Sequence, residues 1–224
     1  MTDTKLAFCT CAVWSKNYGN AYLDQQQTLI DSIRRIYWNQ EQAEIFAWRD
    51  EYPPGSRDWL TSSYGFKPWA VQYALNQGYK KVVYMDTAMI LKEKLPISQY
   101  DHLSETYGVL AAKDDSSLTK VTWGLACEYF GVSREWLGGK NLVGGSFYYF
   151  NFENDKCRTI FQAWKEAEMA GMFGSQEGES AGIQNGHRCD ETIMAILLYF
   201  YGIGPCSYDQ VGYQGETMVK KHFR

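Results

Sequence analysis

Four short stretches carry residues whose types and spacing could do chemistry. The first is "KKVVYMDTAMIL", in which Asp86 stands alone at the end of the apolar run Val82-Val83-Tyr84-Met85. A lone acid at the carboxyl end of a buried strand could hold a divalent cation against a diphosphate, because hard oxygen ligands suit magnesium and manganese. It could equally turn the chain before a short following strand, which is ordinary aspartate chemistry. The second stretch is "FKPWAVQYALNQG", where Lys67 opens a helix. A cation there opposes the helix dipole unless an anion lies near. The third, "LVGGSFYYFN", places Gly144 and Gly145 at the start of a strand, where a substrate could approach the backbone closely or the strand could simply bulge. The fourth, "GHRCDET", brings His187, Arg188, Asp190 and Glu191 to the start of an apolar helix. Asp190 suits an N-cap there, because caps of this type are strongly preferred.

The elements that must position these groups follow a β-α-β-α-β order. "KLAFCTCAV" (5–13) reads as a strand, "AYLDQQQTLIDSIRRIY" as a helix, "AEIFAW" as a strand, "FKPWAVQYALNQG" as a helix with Pro68 in its first turn and Gly78 at its end, and 81–86 as a strand. Short connections between such elements argue for an α/β fold with a mostly parallel sheet flanked by helices. Ligands then bind beyond the carboxyl ends of the strands, where Asp86 lies. In the second half, "YGVLAA" and "LVGGSFYYFNF" read as strands, and "LTKVTWGLACEYFG", "DKCRTIFQAWKEAEMAG" and "CDETIMAILLYFYG" as helices. The polar "FGSQEGESAGIQNGHR" between the last two reads as a mobile loop. No repeat or linker marks a second domain, so one domain over 1–224 is expected.

The chain of 224 residues is long enough for one sizeable core. Its net charge of -4 offers no basic footprint, which argues against nucleic acid or an anionic membrane as partner. Aromatic residues make up 16% of the chain, a surplus that can line grooves for sugars or bases as well as fill a core. The six cysteines are dispersed, without a C-x-x-C pair, and fit buried thiols in a reducing compartment. No apolar run reaches the roughly 18 residues of a membrane span, and the N-terminus lacks a signal pattern. A soluble, cytoplasmic protein is expected.

The succession of a helix opening with lysine, a strand and then an acid in "FKPWAVQYALNQGYKKVVYMDTAMIL" resembles the nucleotide-sugar-dependent glycosyltransferases of the GT-A type, glycogenin-like enzymes in particular. The resemblance runs by order and short patterns from Lys5 to about Gly202. It implies a Rossmann-like GT-A domain that moves a sugar from a nucleotide sugar, a UDP-sugar first, to a hydroxyl of a saccharide or glycosylated acceptor. It implies donor contacts from Thr10, Ala12, Trp14 and Tyr18 in the first loop, from Lys67, Asp86 and Thr87, and from the Gly144-Gly145 strand, with Asp190 and Glu191 touching sugar or acting as base. It further implies manganese or magnesium on Asp86, with the late His222 as a second ligand and Lys220, Lys221 and Arg224 near the diphosphate.

One position departs from that pattern: Ala88 stands where the family's D-x-D motif has its second acid. The metal could be held by Asp86 with other ligands, a metal-free transferase could use its own cations, or the chain could be a binder that has lost chemistry. The tail "MVKKHFR" could instead be a frayed basic end. No "G-x-G-x-x-G" follows the first strand, which disfavours a dinucleotide-binding oxidoreductase, and a nucleotidyltransferase lacks its glycine-rich basic loop.

Overall fold

A computed structural model of the chain describes residues 5–13, 21–38, 43–174, 187–212 and 217–220. β1 (Leu6–Ala12) is buried along its whole length because it is covered on both faces. Ala7, Cys9 and Cys11 point to one layer of core, and Leu6 and Phe8 to the other. This is the near-continuous apolar pattern of a doubly covered strand. β2 (Ala43–Arg49) and β3 (Lys81–Met85) pair with it in parallel, one on each side. β6 (Asn141–Asn151) then runs antiparallel to β3, and β5 (Val109–Ser117) antiparallel to β6, giving the order β2-β1-β3-β6-β5. β6 is therefore the one reversed strand of this sheet, whose other four members point the same way.

Helices cover both faces. α1 (Ala21–Ile36) buries Leu29 and Ile33 on the face of Leu6 and Phe8, where α3 (Ile97–Tyr107) also packs through Tyr100. α2 (Phe66–Asn76), α7 (Asp155–Met169) and α8 (Cys189–Phe200) close the opposite face. Trp164 of α7 is fully buried there, and its indole Nε1 donates to the Asp190 carbonyl at 3.2 Å. All six cysteines are buried and none is in a disulfide. Among the described residues no helix is long and apolar enough to cross a membrane.

Several elements depart from the sequence reading. The segment 118–131 is two helices, α4 (Leu118–Val121) and α5 (Gly124–Phe130), with Thr122 and Trp123 extended between them. The break is stabilised from outside: the Trp123 N–H donates to His187 Nδ1 at 3.2 Å, and the Arg188 N–H to the Val121 carbonyl at 3.3 Å. Short helices α6 (Arg134–Leu137) and α9 (Tyr208–Val211) and the whole of α3 carried no signal singled out from the sequence. The C-terminal segment is not a frayed end over its described part, since β7 (Met218–Lys220) pairs antiparallel with β4 (Met89–Leu91). That pairing sets Lys220 opposite Met89 and brings the tail back beside the segment that follows Asp86. Most of the 173–188 loop lies outside the described residues.

Candidate functional site

Lys67 sits in the first turn of α2 yet is only 1% exposed. Its Nζ donates to Asp190 Oδ2 at 2.9 Å and to the Gly145 carbonyl at 2.8 Å, and lies 3.3 Å from Asp86 Oδ1. Those three acceptors match the three protons of an ammonium. The anion that a cation at a helix start requires is thus supplied by the protein's own carboxylates. Burial alone would lower the Lys67 pKa, but Asp190 and Asp86 more than reverse it, so the side chain stays charged.

Each partner is delivered by a different element. Asp86 follows the last residue of β3, and its backbone makes the turn into β4: the Met89 N–H donates to the Asp86 carbonyl at 3.0 Å. The turn and charge readings of this residue therefore both hold, the backbone serving one and the side chain the other. Asp190 comes from the first turn of α8. It is not that helix's N-cap, a position taken by Arg188, because its carboxylate is turned inward to Lys67 and to the Tyr148 hydroxyl, which donates at 3.1 Å. Glu191 accepts from the Gly145 N–H at 3.0 Å and pairs with Arg188 at 2.8 Å. Burial pushes the Asp190 carboxyl up from the usual aspartate range, against the pull of Lys67. Two cations, Lys67 and Arg188, face three carboxylates.

Gly145 belongs to this cluster for steric reasons. A Cβ at that position would lie 2.7 Å from Glu191 Cγ and 2.8 Å from Asp190 Oδ2, so the two acids can reach the strand only because the side chain is absent. At Gly144 a Cβ would meet nothing nearer than the Ala112 carbonyl at 3.8 Å, and the β5–β6 register is irregular alongside it.

Exposure separates the carboxylates. The Asp86 side chain is 27% exposed, that of Glu191 15% and that of Asp190 2%, so Asp86 is the acid best placed to meet a ligand. Thr87 is buried in the turn beside it. At the end of β1, Thr10 and Ala12 are buried; the Gln26 amide donates to the Thr10 carbonyl at 3.2 Å and the Asp50 N–H to the Ala12 carbonyl at 2.9 Å. Trp14, Tyr18 and His222 lie outside the described residues. His187 stands apart from the ion cluster as a buried link, accepting from the Trp123 N–H and bonded through Nε2 to the Met172 carbonyl at 2.8 Å.

A divalent cation finds one carboxylate here at Asp86, already shared with Lys67, and a methyl group at Ala88. Among the described residues no three His, Cys, Asp or Glu side chains are grouped to hold a metal ion, so these residues do not by themselves compose a metal site.

Three tyrosines that the sequence did not single out complete the surroundings. Lys67 Nζ lies 4.9 Å from the ring centroid of Tyr64, 5.3 Å from that of Tyr84 and 5.9 Å from that of Tyr148. A tyrosine on an inward strand position needs a hydroxyl partner, and for Tyr148 that is Asp190. This was the one signal available to sequence reasoning.

No family model matches the chain, and no curated protein does. Among solved structures the chain is similar to the apo structure of the bifunctional glycosyltransferase WbbM, with a TM-score of 0.53 and 12% identity over 99% of this chain. The chain spans 46% of the length of that protein. The likeness shows a shared Rossmann-like fold: a mostly parallel five-stranded sheet flanked by helices.

Proposed function

We propose that this chain transfers a glycosyl group from a nucleotide-sugar donor, a UDP-sugar first, to a hydroxyl of a saccharide or glycosylated acceptor. The observation that carries the reading is the Lys67–Asp86–Asp190 cluster at the carboxyl end of β3, on a fold shared with a glycosyltransferase. In an open α/β sheet that edge is where ligands bind. Asp86 would meet the donor. Lys67 and Asp190 would act as positioning groups that fix the Asp86 carboxylate, since all three are locked by one hydrogen-bonded ammonium. Glu191 would lie behind the Gly145 floor as the second acid, and Thr10 and Ala12 would border the nucleotide. Catalysis would rest on positioning and on stabilising charge as the nucleoside diphosphate departs.

The test is nucleoside diphosphate release from a panel of nucleotide sugars, with and without manganese or magnesium. Release from at least one donor, abolished in Asp86→Asn, is expected; no release from any donor overturns the reading. The rival is a non-catalytic binder on the same fold, favoured specifically by Ala88 and by an ammonium already matched by three protein acceptors. It predicts calorimetric nucleotide binding that is indifferent to metal and unaccompanied by turnover.

A further inference from the structure

Tyr64 combines three features that the ion cluster does not explain. Its backbone has φ of +60°, a conformation in which an L side chain with a Cβ is strained and for which glycine or asparagine is the natural choice. Such strain persists where the surroundings enforce it, and it concentrates at ligand sites. Here the enforcement is visible: Gly65 follows without room for a Cβ, which would lie 2.3 Å from Ser62 Oγ and 2.8 Å from Glu168 Oε1. Secondly, the ring is held rigidly, edge-on to Trp59 with centroids 4.3 Å apart and with the Lys67 ammonium over it at 4.9 Å. Thirdly, 37% of the residue is nonetheless exposed.

The neighbourhood of that exposed ring is polar in a specific way. Burial pushes the Tyr64 hydroxyl up from the usual tyrosine range, and it also feels the charges of Lys67, Asp86 and Asp190; Arg188 in turn feels Tyr64. Asp86 and Arg188, whose side chains are 27% and 52% exposed, are the accessible hydrogen-bonding groups of this set. An aromatic ring packed against Trp59, with a carboxylate and a guanidinium in electrostatic range, offers apolar surface near both an acceptor and a donor. A pyranose has the matching surface: a patch of C–H groups on one face and a rim of hydroxyls.

We propose that Tyr64 is the stacking platform for a sugar ring whose hydroxyls are held by Asp86 and Arg188. The sugar class rests on the glycosyl-transfer reading; the stacking itself needs no turnover. The ring could belong to the donor or to the acceptor, and the experiment separates the two. Saturation-transfer NMR and calorimetry are run with UDP, UDP-hexoses and methyl hexopyranosides on the wild type, Tyr64→Phe and Tyr64→Asn. Asparagine tolerates the positive φ, so this variant removes the ring without adding backbone strain, and its thermal midpoint is measured alongside to show that it is folded. A donor platform predicts that Tyr64→Asn loses about tenfold in affinity for UDP-hexose and nothing for UDP. An acceptor platform predicts the loss for methyl hexopyranosides. In either case Tyr64→Phe stays within about threefold of the wild type, because the ring face is retained. Equal binding by the wild type and Tyr64→Asn, a loss in Tyr64→Phe as large as in Tyr64→Asn, or no sugar bound by the wild type overturns the platform. Sugar binding that depends on Tyr64 without nucleoside diphosphate release would instead overturn only the transfer reading.

Discussion

At Lys67 a single ammonium is shared between Asp86, Asp190 and the Gly145 carbonyl in a place that water barely reaches. Removing one member of a buried ion cluster leaves the others uncompensated, which costs more than the cluster contributes. Lys67→Met is therefore expected to lower unfolding stability by about 3–5 kcal/mol in urea titration. The double variant Lys67→Met with Asp190→Asn should recover part of that loss, since one stranded charge is gone. Full additivity of the two single effects would count against a shared cluster. From the sequence, Lys67 was legible as a cation in a poor electrostatic position and Asp86 as an acid in an apolar run. What was not legible was that each is the other's answer, because the distance between α2 and the end of β3 is set by packing and not by spacing along the chain.

Elements are tied to one another by two polar joints away from that cluster. On α3, Asp101 accepts from Lys81 Nζ at 2.6 Å, from the Tyr149 hydroxyl at 2.6 Å and from Asn151 Nδ2 at 3.0 Å, joining the helix to β3 and β6 where Lys81 and Asn151 face each other in register. Asp101→Ala strands three donors, and a loss of roughly 2–3 kcal/mol is expected without any change in ligand affinity, because this joint lies at the end of the sheet remote from Asp86. His187 is the second joint, tying the start of α8 to the α4–α5 break and to the Met172 carbonyl. Burial lowers its pKa below the ordinary value of 6.5, and an imidazole that accepts from the Trp123 N–H at Nδ1 has to be neutral. The unfolded chain then binds the proton first, so stability falls as pH drops. The contribution of His187 is complete above pH 6.5 and is lost as the pH falls from there toward the lowered folded value. His187→Gln should flatten that part of the stability profile, and an unchanged slope would refute the assignment. The break at Thr122–Trp123 could not be read from "LTKVTWGLACEYFG" for the same reason: its stabilising partner is 64 residues away.

For the molecule as a whole, the sheet end that gathers Asp86, Lys67, Asp190 and Gly145 should behave as one ligand site. A nucleotide that binds only the folded chain stabilises it by mass action, by about 2.7 kcal/mol at one hundred times its dissociation constant. UDP is expected to raise the thermal midpoint of the wild type. A purine nucleoside monophosphate should raise it less, and the Asp86→Asn shift should be smaller for UDP-hexose. Equal shifts for all nucleotides would argue against a uracil-specific site. The sequence by itself determined the strands β1, β2, β3 and β6 and the helices α1 and α2, because apolar period and turn residues are local properties of the chain. It also determined that an acid stands at the carboxyl end of β3. Only the tertiary structure decided that β6 runs against its neighbours, that β7 returns to β4, that Asp190 faces inward instead of capping its helix, and that strained Tyr64 overlooks the ion cluster. Those outcomes depend on which side chains meet across the sheet, and the cost of burying a charge alone favours arrangements that bring it a partner.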